Sequence, residues 1–240
     1  MKKYFIALFH PHYGIIRKLV KFIIEGSFDS FLKKIPGGGI IHIGANSAQE
    51  RDHYKKLGIK NVIWIEADPK LYRIGKKNIS NKKYVGQKIF NYLVTDKNNI
   101  LYSFNIASNN GASSSIFKVK KLEKLYSGLK YVKKIKIRSK TLTEIFKIKK
   151  INIKKYQALH IDTEGSEFLI LKGAKKLLPQ FKYLKIEIAD AGIYHKNVGP
   201  EVIGKYLSNF GYTEIKRTEI YNNSLGKVFD ILYINKNINN

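Results

Sequence analysis

Hydrophobic residues in this chain gather in short apolar runs that stop abruptly at polar turns, with longer amphipathic stretches between them. Ile40–Ile43 runs into Gly44–Asn46, and Asn61–Ile65 runs into Glu66–Pro69. Apolar runs of this length, bounded by turn residues, read as strands buried on both faces. The same pattern predicts strands at Gln87–Thr95, Leu101–Ile106, Lys134–Ile137, Gln157–Ile161, Tyr183–Ile188, Thr213–Arg217 and Phe229–Ile234. Helices are predicted at Ala48–Leu57, Pro69–Ile79, Glu167–Leu178 and Glu201–Phe210, with one or two more over residues 12–34. A further helix opens at Thr141, where Glu144 three positions on makes a capping-box pattern. Ser108–Ser115 reads as a loop, and Lys118–Tyr131 as helical or irregular. Strands alternating with helices predict an α/β fold with a mostly parallel sheet. Residues 1–36 form an N-terminal helical segment and residues 37–240 a single domain, without repeats or a linker.

The spacing between the first two runs carries chemistry. Gly44 ends the first and Glu66 ends the second, 22 positions later. A nucleotide-binding βαβ unit has a glycine turn after its first strand and, about 20 residues on, an acid that accepts ribose hydroxyls. An adenosine-containing ligand is therefore expected here. A dinucleotide fingerprint would carry more glycines, but Ser47 and Ala48 stand in their place. An ordinary strand–turn–helix is the plainer reading of Gly44 taken alone.

Ligands of open parallel sheets bind outside the carboxyl ends of the strands. The polar residues there are Gly44–Asn46, Glu66–Asp68, Asp96, Asp162–Glu167 and Glu187–Asp190. Asn46 either caps a helix or holds the ligand's polar end. Asp68 precedes Pro69 and reads as an N-cap that also borders the pocket. Asp96 is either an acceptor for an adenine amino group or a turn residue. Asp162, Glu164 and Glu167 crowd one turn, where Glu164 and Glu167 suit a helix N-terminus. Asp162 is a candidate general base, or with Glu187 a candidate ligand for a hard cation such as Mg²⁺. His195, in the polar stretch AGIYHKNVG, is a second candidate base. His42 and His160 lie inside strands and read as core residues.

Composition narrows the classes. With 240 residues and 44% hydrophobic content the chain can bury a substantial core. There is no cysteine, which removes disulfides, thiol nucleophiles and thiolate metal sites, and fits a reducing, cytoplasmic setting. The net charge of +27 points toward anionic partners. However, five Arg stand against 40 Lys, and Lys, Ile, Asn and Tyr are abundant together, as codon bias in an AT-rich genome would give. Nucleic acid is not the expected partner, because its readers favour arginine and no RNP-type or finger motif is present. An acidic glycan or anionic lipid is the alternative to a plain solvated lysine surface. No apolar run is long enough to span a membrane. Ile15–Ile24 is basic and amphipathic, suited to packing on the domain or to contact with a membrane surface.

The segments IHIGAN, IEADP, SNNGASSSIF and above all HIDTEGSEFLILKGA resemble the FkbM family of S-adenosylmethionine-dependent methyltransferases, from about Ile40 to Phe210. The resemblance implies a class I methyltransferase fold. In that Rossmann-like architecture a seven-stranded, mostly parallel sheet has helices on both faces and its last strand antiparallel. It also implies O-methylation, commonly of a sugar hydroxyl or a natural product. By position, Gly44, Ala45 and Asn46 would approach the methionine part of the cofactor, Glu66 with Ala67 the ribose, and Asp96 the adenine. Ser113 and Ser114 would belong to a loop closing over the site, and Asp162 would stand at the catalytic strand end. The family has an acid where this chain has His42, and a glycine where it has Ala48. An NAD-dependent oxidoreductase and a non-catalytic binder of acidic polymers are the rival readings. The missing glycines and the Asp162–Gly165 turn argue against the first.

Overall fold

A computed structural model describes residues 28–33, 38–119, 128–224 and 226–238. The predicted helical segment before residue 28, with its amphipathic stretch 15–24, lies outside the described residues, as does most of 118–131. Three strands form the centre of the molecule: β1 (Gly39–Ile43), β2 (Asn61–Glu66) and β7 (Ala158–Ile161). All their residues except Asn61 are buried, as strands covered on both faces must be. They pair in parallel with each other, and with β3 (Gln87–Asn91) and β8 (Tyr183–Ala189) outside them. The hairpin of β9 (Tyr212–Asn223) and β10 (Gly226–Asn235) completes a seven-stranded sheet of order β3-β2-β1-β7-β8-β10-β9. β10 runs antiparallel to both neighbours. The implied topology, with its single reversed strand, is the one observed.

The pleat divides the core in two. Ile41, Ile43, Ile63, Ile65, Leu159 and Ile161 face one side, against Leu142 and Ile145 of α3 (Leu142–Ile148), Ile170 and Leu171 of α4 (Glu167–Gly173), and Ile203 and Leu207 of α5 (Pro200–Ser208). Ile40, Val62, Trp64 and Ala158 face the other. There they meet Tyr54 of α1 (Arg51–Lys56), Tyr72 of α2 (Pro69–Asn78), and Phe28 and Leu32 from the helical turn 28–32. Each such side chain contributes roughly 1.5–3 kcal/mol by leaving water, so helices are held on both faces.

Several elements differ from expectation. The predicted helix from Ala48 begins only at Arg51, because Asn46 and Ala48 adopt left-handed φ angles of 49° and 55°. The helix predicted to Leu178 ends at Gly173 and continues as turns. The predicted strand Gln87–Thr95 breaks at Tyr92. Asn91 Nδ2 donates to the carbonyls of Glu66 and Ala67 at 2.8 and 3.1 Å, and Tyr92 N–H donates to Glu66 O. These bonds consume the end of the β2–β3 ladder, and the chain turns out of the sheet. β4 (Leu93–Val94) then joins a second, three-stranded sheet with β5 (Leu101–Ala107) and β6 (Tyr131–Lys140), in the order β4-β6-β5. β6, predicted as four residues, is ten long because β5 pairs along most of it. Thr141 is the N-cap of α3, its hydroxyl accepting from Glu144 N–H at 3.1 Å.

Candidate active site

Strand order reverses between β1 and β7, and a sheet opens to ligands at such a point. A cleft lies there, with about 530 Å³ of atom-free space counting the solvent at its open mouth. Gly44, Asn46 and Glu66 line one side, Asp162, Glu164 and Ser166 another, and Phe104 and Ser114 a third.

The first side is a backbone cradle. Gly44 has φ +86°, and a Cβ there would lie 1.6 Å from the carbonyl oxygen of Asp162. Only glycine permits that approach. The N–H groups of Gly44 and Ala45 both donate to Ile65 O, at 3.0 and 3.2 Å. Asn46 N–H donates to Glu66 Oε2, and Asp68 N–H to Glu66 Oε1, each at 2.7 Å. Glu66 is 6% exposed. Burial pushes its carboxyl up to about 7, against the pull of those N–H groups. Each oxygen keeps a lone pair, so Glu66 can still accept two hydroxyl protons. Asp68 takes the capping role, accepting from Lys70 N–H at 2.7 Å.

Not every expected cofactor residue reaches the cleft. Ala67 borders it, whereas Ala45 is buried in the core beside Trp64. Asp96 is not among the lining residues; its carboxylate lies 3.4 Å from Lys172 Nζ. The wall next to Glu66 is instead Tyr92, Leu93 and Val94, brought there by the strand break. These apolar surfaces suit the flat face of a purine better than a second carboxylate would. Ser114 lines the cleft, its hydroxyl also accepting from Ala107 N–H. Ser113 does not line it and bonds with Asn109.

The acidic turn separates into two functions. Glu167, 3% exposed, folds the turn: one oxygen accepts from Thr163 N–H, Thr163 O–H and Gly165 N–H at 2.9–3.1 Å. Asp162 and Glu164 instead face the cleft. One carboxylate oxygen from each of them and one from Glu187 lie within 4.8 Å of one another. Asp162 is half-buried by surface, yet its carboxyl sits deep among protein atoms. Burial pushes it up to about 7, and the charge of Asp230 adds to this. Glu187 is raised well above the carboxylate range by burial and by Asp162. Lys185 opposes the effect on Asp162, and its Nζ lies 3.0 Å from Asp230.

His195 is exposed and outside the cleft, held by its N–H donating to Lys118 O at 2.9 Å. The inward residue of that loop is its neighbour Tyr194, which the sequence reading missed. Tyr194 is 3% exposed, its ring covers Gly165, and its hydroxyl donates to the Glu164 carboxylate. Asn197 fixes the loop: its Oδ1 accepts from the N–H groups of Gly192 and Tyr194, and its Nδ2 donates to the carbonyls of Ala189 and Asp190. No spacing signal marks Tyr194 in the sequence; a tyrosine beside a histidine in a polar loop draws the eye to the histidine.

His42 lies on the sheet face that holds Trp64 and does not line the cleft. Its ring centroid is 4.0 Å from that of His160, and both meet Tyr54 Oη, at 3.2 and 3.0 Å. The departure from the family pattern at this position is thus packed into an aromatic cluster.

No curated protein sequence matches the chain. Several solved structures are similar in shape. The M. capricolum protein TrmK, in complex with S-adenosyl-homocysteine, is 11% identical over 87% of this chain and 67% of its own, with a TM-score of 0.45. A SAM-dependent methyltransferase from Aquifex aeolicus is 12% identical over 83% of this chain and 82% of its own, with a TM-score of 0.42. Magnesium protoporphyrin IX methyltransferase from Synechocystis PCC 6803, with bound SAM, is 8% identical over 88% of this chain and 77% of its own, with a TM-score of 0.47. The decisive match is in sequence: the model of the methyltransferase FkbM domain covers residues 42–214, well over half of the chain, and the chain belongs to that family.

Proposed function

We propose that this protein transfers a methyl group from S-adenosylmethionine to a hydroxyl oxygen, with a sugar hydroxyl of a glycan, nucleotide-sugar or natural product as acceptor and Asp162 as base. One observation carries the reading. The Gly44 turn and the Asp162 strand end touch, so the cradle for the donor and the carboxylate for the proton share one cleft. The residues present fit the donor: Glu66 offers acceptors for ribose hydroxyls, Tyr92–Val94 an apolar wall for the purine, and Gly44–Asn46 the approach to the methionine part. Bound there, S-adenosylmethionine would supply an electrophilic methyl carbon.

The chain's own contribution is alignment and proton removal. Holding the acceptor oxygen in line is worth roughly 7–11 kcal/mol, and a positioned base adds about 10²–10⁴-fold. A carboxyl near 7 is ionised in a useful fraction at neutral pH and still basic enough to take a proton. Glu164 and Glu187 give further acceptors beside Asp162, which suits a polyhydroxylated molecule. The raised carboxyls of Asp162 and Glu187 indicate that bound protons relieve the repulsion in this group. A hard cation such as Mg²⁺ would do so by displacing them, and sensitivity of turnover to EDTA distinguishes the two.

Calorimetry with S-adenosylhomocysteine and with NAD tests the donor. Binding of the first alone, abolished by Glu66→Ala, is expected; preference for NAD overturns the reading. Transfer of labelled methyl to glycan fractions tests the base. Full turnover by Asp162→Asn, with S-adenosylhomocysteine binding intact, would remove Asp162 from the role.

A further inference from the structure

We infer that the outer face of the small sheet β4-β6-β5 is an exosite for an acidic glycan polymer. Lys134, Lys136 and Arg138 alternate along β6 and are all exposed. β5 pairs Phe104 with Ile135, and Ser103 with Lys136. Phe104 lines the cleft, so the three cations lie on the opposite surface of the same wall. Residues two apart on a strand are about 6.6 Å apart, so the three charges form a line about 13 Å long, a shape for a linear polyanion rather than for one anion. Two heads are held in place: Lys136 Nζ donates to Ser103 Oγ at 2.8 Å, and Arg138 Nη1 to Asn99 O at 3.0 Å. Prior fixing lowers the ordering cost of binding.

A lysine-rich composition alone does not account for this surface. Residues 97–143 hold 11 Lys and Arg but a single acid, Glu123, giving a net charge of +10. These 47 residues would carry about half that charge at the chain's average. The difference comes about equally from added cations and from missing acids, and codon bias toward lysine does not account for the second. Several cations on other surfaces are paired, as in Arg217 with Glu201 and Glu214, Lys227 with Glu219, and Lys172 with Asp96. Among the described residues no carboxylate lies within ion-pair distance of Lys134, Lys136 or Arg138.

The chemistry of the face favours a glycan. Single-stranded nucleic acid needs aromatic platforms for its bases, and the exposed positions of this face are Leu101, Val132 and the three cations. A membrane surface needs a continuous apolar strip, but Leu101 lies opposite Arg138 at one end and Val132 at the other. The inference rests on the proposed transfer reaction only for what the bound polymer is for, namely presenting a hydroxyl over the rim of the cleft.

The test is binding of heparin to the full chain, with dextran as the neutral control, over a range of salt. Affinity should fall steeply with salt, and the triple variant Lys134→Gln/Lys136→Gln/Arg138→Gln should lose at least about tenfold while reducing the salt slope by about three. S-adenosylhomocysteine affinity should not change. A second triple, Lys55→Gln/Lys56→Gln/Lys60→Gln, removes exposed cations elsewhere and should lose less than about twofold. Equal losses from the two triples would overturn the exosite, as would tighter binding to single-stranded DNA of matched charge, or binding to anionic vesicles without heparin binding. Should the first triple not fold, Lys134→Gln and Arg138→Gln singly carry the comparison, each expected to lose about threefold. Failure here with S-adenosylhomocysteine binding intact removes the exosite and leaves the proposed reaction standing.

Discussion

Replacing Gly44 with alanine measures how tightly the turn after β1 and the end of β7 are joined. The new Cβ would stand 1.6 Å from Asp162 O, where real contacts stay beyond 3.0 Å. The ends of β1 and β7 must therefore part by at least 1.4 Å. The bond from Asp162 N–H to Ile43 O, now 3.0 Å, does not survive such a shift, and loss of a buried hydrogen bond costs about 1–3 kcal/mol. Holding alanine at φ +86° adds roughly 1–2 kcal/mol. The sum is about 2–5 kcal/mol. Gly58 supplies the control: its φ is +78° with nothing within 4 Å of an added Cβ, so Gly58→Ala should cost the backbone contribution alone, about 1–2 kcal/mol. Urea unfolding of both variants gives the comparison, and calorimetry with S-adenosylhomocysteine should show Gly44→Ala weakened and Gly58→Ala unchanged. If Gly44→Ala costs no more than Gly58→Ala and binds the ligand as well as the native chain, the contact between the two turns is not as described.

Three further outcomes follow from the site. Methyl transfer should rise with pH through about 7, as Asp162 ionises, and Asp162→Asn should flatten that profile and lower the rate about 10²–10⁴-fold. Thermal stability should respond in the opposite sense. Glu66 and Asp162 have carboxyls raised on folding to about 7, so their contribution is whole below about pH 4 and is lost as pH rises through about 7, and Glu187, raised by burial and by Asp162, acts in the same direction. Melting scans at pH 5 and pH 8 should differ less for Asp162→Asn than for the native chain, by at least about 1 kcal/mol. Asn197→Ala should release the loop that holds Tyr194, giving faster amide exchange at Gly192 and Tyr194 and a loss of roughly 1–3 kcal/mol; unchanged exchange there would count against the positioning role.

The central strands were legible because β1, β2 and β7 are apolar on both faces, and that pattern has few other uses. The positions of Gly44 and Glu66 at the cleft were legible because a βαβ unit fixes the separation of its two strand ends along the chain. Asp96 was misleading for a physical reason. Its place after an apolar run suggested a strand end at the cleft, but the run is two strands, divided by side-chain bonds from Asn91 that no periodicity reveals. β6 was read too short because its charged positions face solvent, and its pairing with β5 is non-local. His195 and Tyr194 differ only in which way one loop turns, and the turn is set by Asn197. His42 looked like a gap in the cofactor's reception, yet the pleat sends it to the other face of the sheet.

The break after β3 has a consequence beyond shaping the cleft. Val94, in the cleft wall, is the register partner of Lys140, the last residue of the strand that carries the three aligned cations. One backbone thus borders both surfaces. If occupancy of one surface shifts that strand, the second ligand meets an altered wall, and thermodynamic reciprocity requires each ligand to change the other's affinity by the same factor. Titrating polymer with and without S-adenosylhomocysteine would then yield a single number, the coupling free energy across one strand.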